Sequence, residues 1–392
     1  MVTSSTQTPP HIWKLIFLSS LIPFFIVFPE PALPQLAGQF GSSLSTTQWL
    51  VVSCSLAYGV GALLYAPITN RFGKSMALRS LMLCGFVGSV LSLLGVVIKV
   101  FSLAVVGRCL LGLGTGSGLV ISMVVLHHSY CPKTARILYS LVVPFFMFAP
   151  ALSLACSGLV LVHLGIMPIF LIMVILSGAG CLITLSVSEP HNFNQVPLNL
   201  FKLIAQYCAE LYSYYFIQLL CILTITMSSI YVFNAMSTLI AENDLHIAPH
   251  HYGLLVCIPS SGLFVGAILS ILLNKLLHQA SIIRIGLSIS LLSSCVLYGL
   301  VFYSNSLWGL ILPAIGIFLA ASIVISNASM YMLQISKNSA IASSLFSSLG
   351  LIFASLLVLL MTRWLSFGPI VLPIVLTSTI GFALLLSFFP MK

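Results

Sequence analysis

The chain is a succession of apolar runs, each about as long as the roughly 20 residues that an α-helix needs to cross a bilayer. Twelve can be drawn, near 12–36, 46–68, 76–98, 101–127, 136–162, 165–187, 212–240, 250–275, 280–303, 306–333, 338–363 and 367–389. Only 5% of the 392 residues are charged, against about 25% in ordinary soluble chains. So few charges cannot cover a water-facing surface of this size, and lipid must cover it instead. The pattern predicts an all-α membrane protein with twelve transmembrane helices.

The remaining composition fits that reading. The first run begins near Ile12, after a short polar start from Met1 to His11. It is too long, and too poor in small residues at a cleavage site, for a signal peptide, so it reads as the first span. The ten cysteines form no CxxC pair and mostly sit inside apolar runs, as Cys54, Cys84, Cys156 and Cys295 do; they read as small buried thiols. The net charge of +9 comes from Lys and Arg residues scattered between the runs. That spacing suits helix-flanking anchors and excludes a nucleic-acid surface.

Cytoplasmic loops retain an excess of Lys and Arg, which gives an orientation. With the N-terminus inside, the inner side holds Lys14, Arg71, Lys74, Arg79, Lys133, Arg136, Lys202, Lys275, Arg284, Lys337 and Lys392, and the outer side holds only Lys99 and Arg363. Both termini are therefore expected in the cytoplasm. The longest polar stretch, from Ser188 to about Glu210, divides the chain into a bundle over 1–187, a cytoplasmic linker over 188–211 and a second bundle over 212–392. A shift of 204 residues lays Asn70-Arg71 on Asn274-Lys275, Ser102-Leu103 on Ser306-Leu307, Gly112 on Gly316 and Lys133 on Lys337. One offset serving separated loops and helices is the mark of a parallel six-helix repeat, with a substrate site expected between the halves.

Five acidic residues occur in all, Glu30, Glu189, Glu210, Glu242 and Asp244, and one lies within a span. Glu30 stands in Phe28-Pro29-Glu30-Pro31-Ala32-Leu33-Pro34. A carboxyl at membrane depth must face a wet cavity, find a partner or hold a proton, and each of these suits a proton carrier; the bland alternative is a position at the outer helix end, beside Gln35 and Gln39. Arg108 opens the fourth span ahead of glycines 112, 114, 116 and 118. A guanidinium cannot shed its charge, so it needs a counter-charge, carbonyls or water, unless it snorkels to the surface. The glycines read as packing residues that let helices approach. In the seventh span Thr224, Ser228, Tyr231, Asn234 and Thr238 form a polar stripe, and the 204-residue shift sets Asn234 opposite Glu30. The stripe is expected to line the cavity or to bond neighbouring helices; Asn327 and Tyr331 in the tenth span form a smaller set of the same kind, where bonding between helices is favoured. His246, His250 and His251, near Glu242 and Asp244, read as a solvated outer loop and not as a metal site. His127 and His128 suit the end of the fourth span.

The loop after the second span contains Asn70, Arg71, Gly73 and Lys74. Gly73 permits a tight reversal, and the basic residues anchor it. This loop, an Arg heading a Gly-rich fourth span and the two-half repeat resemble the major facilitator superfamily. Pro31-Ala32-Leu33-Pro34 and Leu56-Ala57-Tyr58-Gly59-Val60-Gly61 are similar to drug:proton antiporters of the bicyclomycin-resistance type. The resemblance implies a gating loop at Asn70, Arg71, Gly73 and Lys74. Three departures stand out: Asn70 replaces an acid, Val27 stands where many relatives carry aspartate, and Ala149-Pro150 replaces Gly-Pro. Glu30, three residues beyond Val27 and near the same helix face, is expected to substitute for the missing acid.

These readings point to a secondary transporter of a bacterial-type inner membrane, working by alternating access as a monomer. Its partners would be protons, membrane lipid and a small amphipathic molecule, without cofactor or metal. In this scheme Glu30 loads the proton, Arg108 tunes it or meets an anionic substrate group, and Thr224, Ser228, Tyr231 and Asn234 line the path. The rival is a transporter of a siderophore, organic acid or nutrient, favoured by the shortage of acids and by Arg108. A membrane enzyme would need paired acids, a metal cluster or an activated nucleophile that the spans do not supply; a sensor without transport is the remaining alternative.

Overall fold

The computed structural model describes residues 12–119, 132–186, 200–303, 306–336, 339–364 and 368–389. His127, His128, Glu189, Lys337, Lys392 and the first part of the linker lie outside the described residues, as do the side chains of Asn70, Lys74, Lys133, Arg136, Lys202 and His250.

Twelve helices are long and apolar enough to cross a membrane. Spans 1 to 6 are Ile12–Phe40, Leu44–Tyr65, Ser75–Val97, Phe101–Leu119, Phe145–Leu164 and Ile166–Thr184. Spans 7 to 12 are Tyr214–Glu242, His251–Leu273, Gln279–Tyr303, Leu307–Met332, Ser344–Arg363 and Val371–Phe388. All twelve apolar runs are thus helices, with no strand among the described residues. Spans 2 and 5 belong to longer helices, Trp49–Phe72 and Pro132–Leu164. Side chains such as Ile175, Leu182, Leu292 and Leu385 are more than half exposed, an apolar surface that only lipid can cover at low cost.

The two sets of six pack alike. Span 3 lies on span 4, span 2 on span 4, span 1 on span 5 and span 3 on span 6, and the same pairs recur as 9 on 10, 8 on 10, 7 on 11 and 9 on 12. Between the sets, span 2 packs on span 11 and span 5 on span 8. Each contact maps onto the other when the halves are exchanged, as a pseudo-two-fold axis requires. Two arginines show the repeat in detail. Arg79 Nη2 donates to Leu185 O at the end of span 6, and Arg284 Nε donates to Ser387 O at the end of span 12. Cations placed there satisfy the free carbonyls of a helix C-terminus.

Those arginines share one face of the molecule, here the proximal face, with Lys14, Arg71 and Lys275. Lys14 Nζ bonds Ser186 Oγ there at 2.9 Å. The opposite, distal face carries the turns near Gly41, Lys99, Gly165, Asp244 and Gly368. Gly73 joins spans 2 and 3 on the proximal face with φ 86°, a backbone region that side chains rarely adopt, and its N–H bonds Thr69 O at 3.0 Å. The expected tight reversal is present, and Arg71 lies exposed over the Phe72 ring. In the linker a helix, Leu200–Leu211, follows the undescribed part, where the polar sequence predicts only a connection.

Candidate functional site

Span 1 is built to break. Its first helix ends at Val27, a single 3-10 turn covers Glu30–Ala32, and a second helix runs over Leu33–Phe40. Pro29 and Pro31 lack the N–H groups that would continue the ladder. The last carbonyls of the first helix are therefore free to accept bonds from elsewhere. Ser153 of span 5 donates to Phe24 O at 2.6 Å, and Arg108 Nη2 donates to Ile26 O at 2.9 Å.

Arg108 is completely buried. Its Nε donates to Leu50 O at the start of span 2, and Nη1 points at Met173 Sδ of span 6, 3.9 Å away. The guanidinium does not snorkel. It is held inside the first half by two backbone carbonyls, which leaves it tying spans 1, 2, 4 and 6 together. The glycines around it act as expected. A methyl group on Gly112 would overlap the Cys54 backbone, one on Gly114 the Gly85 backbone, and one on Gly118 the Leu18 carbonyl. These contacts bring spans 1, 2 and 3 against span 4 closely enough to enclose Arg108.

Glu30 is 2% exposed and its Oε2 has no hydrogen-bond partner. The charged side chains whose fields reach it are Arg108 and Glu242. It lines a narrow cavity between the halves with Val27 on span 1, Ser55 on span 2, Tyr231 on span 7, and Leu351 and Ser355 on span 11. The Ser55 and Ser355 hydroxyls meet across this seam at 2.7 Å. Val27 and Glu30 both line this cavity.

The expected cavity residues divide. Tyr231 lines it, while Thr224, Ser228, Asn234, Asn327 and Tyr331 are not part of its wall. Ser228 donates to Ile225 O and Thr238 to Asn234 O, bonds within their own helix. Asn327 donates to Ser270 Oγ and Ile323 O, both at 2.8 Å, so its amide joins span 10 to span 8. Asn234 is 2% exposed with Oδ1 unpartnered, on the helix that packs against the Glu30 turn. Ser55 and Ser355 are additions that the sequence reading missed; serines in apolar helices carry no signal of their own. Glu242 lies outside this wall. It still belongs to the span 7 helix, and its Oε1 is buried without a partner, whereas the sequence reading set it in a solvated loop. The neighbouring Asp244 and His246 are exposed, and no group of three or more metal-ligating side chains occurs among the described residues.

The sequence profile described as Major Facilitator Superfamily matches residues 15–356. No curated protein sequence matches the chain. Among solved structures, a D-xylose-proton symporter superposes with a TM-score of 0.71, covering 96% of this chain and 96% of its own at 13% identity. At that identity the likeness concerns the fold alone, a likeness that extends over both six-helix sets. With its broken first span, its paired bundles and a profile match over most of its length, the chain belongs to the Major Facilitator Superfamily of membrane transporters.

Proposed function

We propose that the protein is a proton-coupled secondary transporter that exports a small amphipathic molecule by alternating access. The observation that carries this reading is Glu30, a buried carboxyl with an unpartnered oxygen in the wall of a cavity shared by both halves. Such a group costs free energy unless it exchanges a proton or meets a ligand. The cavity walls support an amphipathic substrate: valine, leucine and alanine dominate, with two serine hydroxyls and one phenol as polar contacts. Proton-driven antiport of the bicyclomycin-resistance type, in a bacterial inner membrane with both termini in the cytoplasm, follows from the resemblance of Pro31-Ala32-Leu33-Pro34 and from the basic proximal face.

The rival reading, a carrier of organic acids or siderophores, drew on Arg108 as an anion-binding group. Arg108 is fully buried, and its Nε and Nη2 are bonded to carbonyls of spans 1 and 2. An incoming carboxylate would have to displace those bonds, so the geometry favours a structural cation that sets the field at Glu30.

The test uses inside-out vesicles carrying a proton gradient reported by acridine orange. A panel of amphipathic cations, neutral amphiphiles and carboxylates is added one at a time. A transported compound should collapse the gradient in vesicles with the wild-type protein, and Glu30→Gln should abolish that response. A compound that still collapses the gradient with Glu30→Gln at the wild-type rate would remove Glu30 from the coupling.

A further inference from the structure

A helix that lines a cavity presents a whole stripe to it, and the stripe on span 2 runs on past the cavity wall. Val51, Val52 and Ser55 line the cavity from this span. Gln48 precedes them by three, four and seven residues, the spacing of one helix face. The backbone is already helical there, since the amides of Val51 and Val52 donate to Gln48 O at 3.0 and 3.1 Å. Gln48 therefore stands one turn beyond the wall on the distal side, roughly 10 Å along the helix from the Ser55–Ser355 contact. Its side chain is completely buried, and both Nε2 and Oε1 lack a hydrogen-bond partner. It is the one amide among the described residues with donor and acceptor both buried and unpartnered.

The register of the facing helix shows why the amide stays unbonded. Ser55 meets Ser355, and Gly59 lies against Ile352 and Ser348, so span 11 runs antiparallel to span 2. Seven residues beyond Ser355 this brings Thr362 level with Gln48. The Thr362 hydroxyl donates to Val358 O of its own helix and does not serve the amide. A side-chain amide held inside a span for structural reasons is bonded to its neighbours, because leaving its groups unmade costs more than a made bond returns. One left unbonded on a cavity face suits a ligand. The ligand chemistry follows from what the amide offers, an N–H beside a C=O in one plane. An ammonium supplies donors alone and a carboxylate acceptors alone, so each meets half of it. A carboxamide, lactam or urea edge meets both at once.

We propose that Gln48 is a substrate-recognition residue, and that the exported molecule carries a neutral amide-type edge which Gln48 pairs through two parallel hydrogen bonds. As the halves part, Gln48 becomes the next residue of the cavity wall. The apolar body of the molecule then lies on Val51, Val52 and Val358, between Gln48 and Glu30. Glu30 is left to the proton, so recognition and coupling belong to different side chains on different spans. The inference deepens the transporter reading and rests on it for the direction of travel, but the amide pairing is tested by binding alone.

Three probes of one shape separate the possibilities: 4-butylbenzamide, its N,N-dimethylamide, which keeps only the acceptor, and methyl 4-butylbenzoate, which also lacks the N–H. Equilibrium dialysis of the protein in nanodiscs, against empty nanodiscs, measures their binding. Wild type should hold the primary amide at least tenfold more tightly than either analogue. Gln48→Leu and Gln48→Met, apolar residues of similar size, should bind all three within a factor of two. Thermal unfolding without probe supplies the second readout. Both variants should unfold at or above the wild-type temperature, because the amide they remove has no bond to lose. A lower unfolding temperature, or failure of both to fold, would show that the amide is structural and overturn the proposal. So would a wild-type protein without the amide preference, or a variant that keeps it. If the preference holds and disappears as expected, but no compound of the acridine orange panel collapses the proton gradient, the transporter reading fails and Gln48 stands as a binding residue.

Discussion

The two halves share one packing scheme and differ in chemistry. Glu30 and Arg108 in the first half correspond, 204 residues on, to Asn234 and Leu312 in the second. Arg108 is completely buried, whereas Leu312 is 54% exposed on the apolar surface. Asn234 is as buried as Glu30 and has an unpartnered carbonyl oxygen. The first half closes spans 3 and 4 through glycine contacts, Gly85 against Gly114 and Gly88 against Leu111. In the second half the counterpart of Gly114 is Phe318, which packs edge-on against Phe233. Symmetry therefore belongs to helix placement, and the fixed cation to one half alone. In the proposed cycle, rocking of one bundle against the other would rest on the first and proton coupling on the second.

Making the first half resemble the second should have the largest effect. Arg108→Leu installs the residue found at the equivalent position. It frees Ile26 O and Leu50 O in a buried site and leaves Glu30 without its counter-charge, a loss of about 3–5 kcal/mol on the scale of a broken buried pair. Thermal unfolding in detergent should show a large drop, and Arg108→Leu combined with Glu30→Gln should recover part of it. A single variant as stable as wild type would mean that the guanidinium is not what binds spans 1, 2, 4 and 6.

A smaller effect concerns where in span 1 the acid stands. Val27 and Glu30 line the same cavity, so Val27→Asp placed on the inactive Glu30→Gln background should return proton-coupled flux. A rate roughly tenfold below wild type is expected, since about 1.4 kcal/mol of misplacement has that consequence. No recovery in the acridine orange assay would show that the 3-10 turn, and not only the cavity wall, positions the working carboxyl.

How far the sequence carried this picture depends on what each residue's role rests upon. The twelve spans, the offset of 204 and the tight turn at Gly73 follow from hydropathy and from backbone rules, which act locally. The burial of Arg108 follows less directly, and its acceptors not at all, because Ile26 O becomes free only where Pro29 and Pro31 end a helix and span 4 happens to cross. Asn327 and Tyr231 sit in helices of the same character; one turns to Ser270 and the other to the cavity, and helix rotation decides between them. Glu242 was hidden by its neighbours. Beside Asp244, His246 and Pro249 it reads as loop, and only the continuation of span 7 to Asn243 places it on the helix.

The smallest effects should come from the two hydrogen bonds that tie the halves at different depths, and their signs should differ. Midway along spans 2 and 11 Ser55 meets Ser355 directly. On the proximal side the link is indirect: Tyr207 of the linker helix donates to Leu63 O of span 2 at 3.0 Å and also bonds Ser344 of span 11. Burial pushes the Tyr207 phenol above its ordinary range, outweighing the opposite pull of Ser344, so it remains a donor at any working pH. A hydrogen bond of this kind contributes about 1 kcal/mol, roughly a fivefold change in a two-state population. Ser55→Ala should loosen the contact of spans 5 and 8 on the distal side, where Cys257 Sγ lies 3.8 Å from Ala151 O, and raise maleimide labelling of Cys257 by about that factor. Tyr207→Phe should loosen the proximal side, shift the population toward distal closure and lower the labelling by a similar factor. If both variants move Cys257 in the same direction, the two ends are not coupled as opposite gates, and the linker helix serves only to join the bundles.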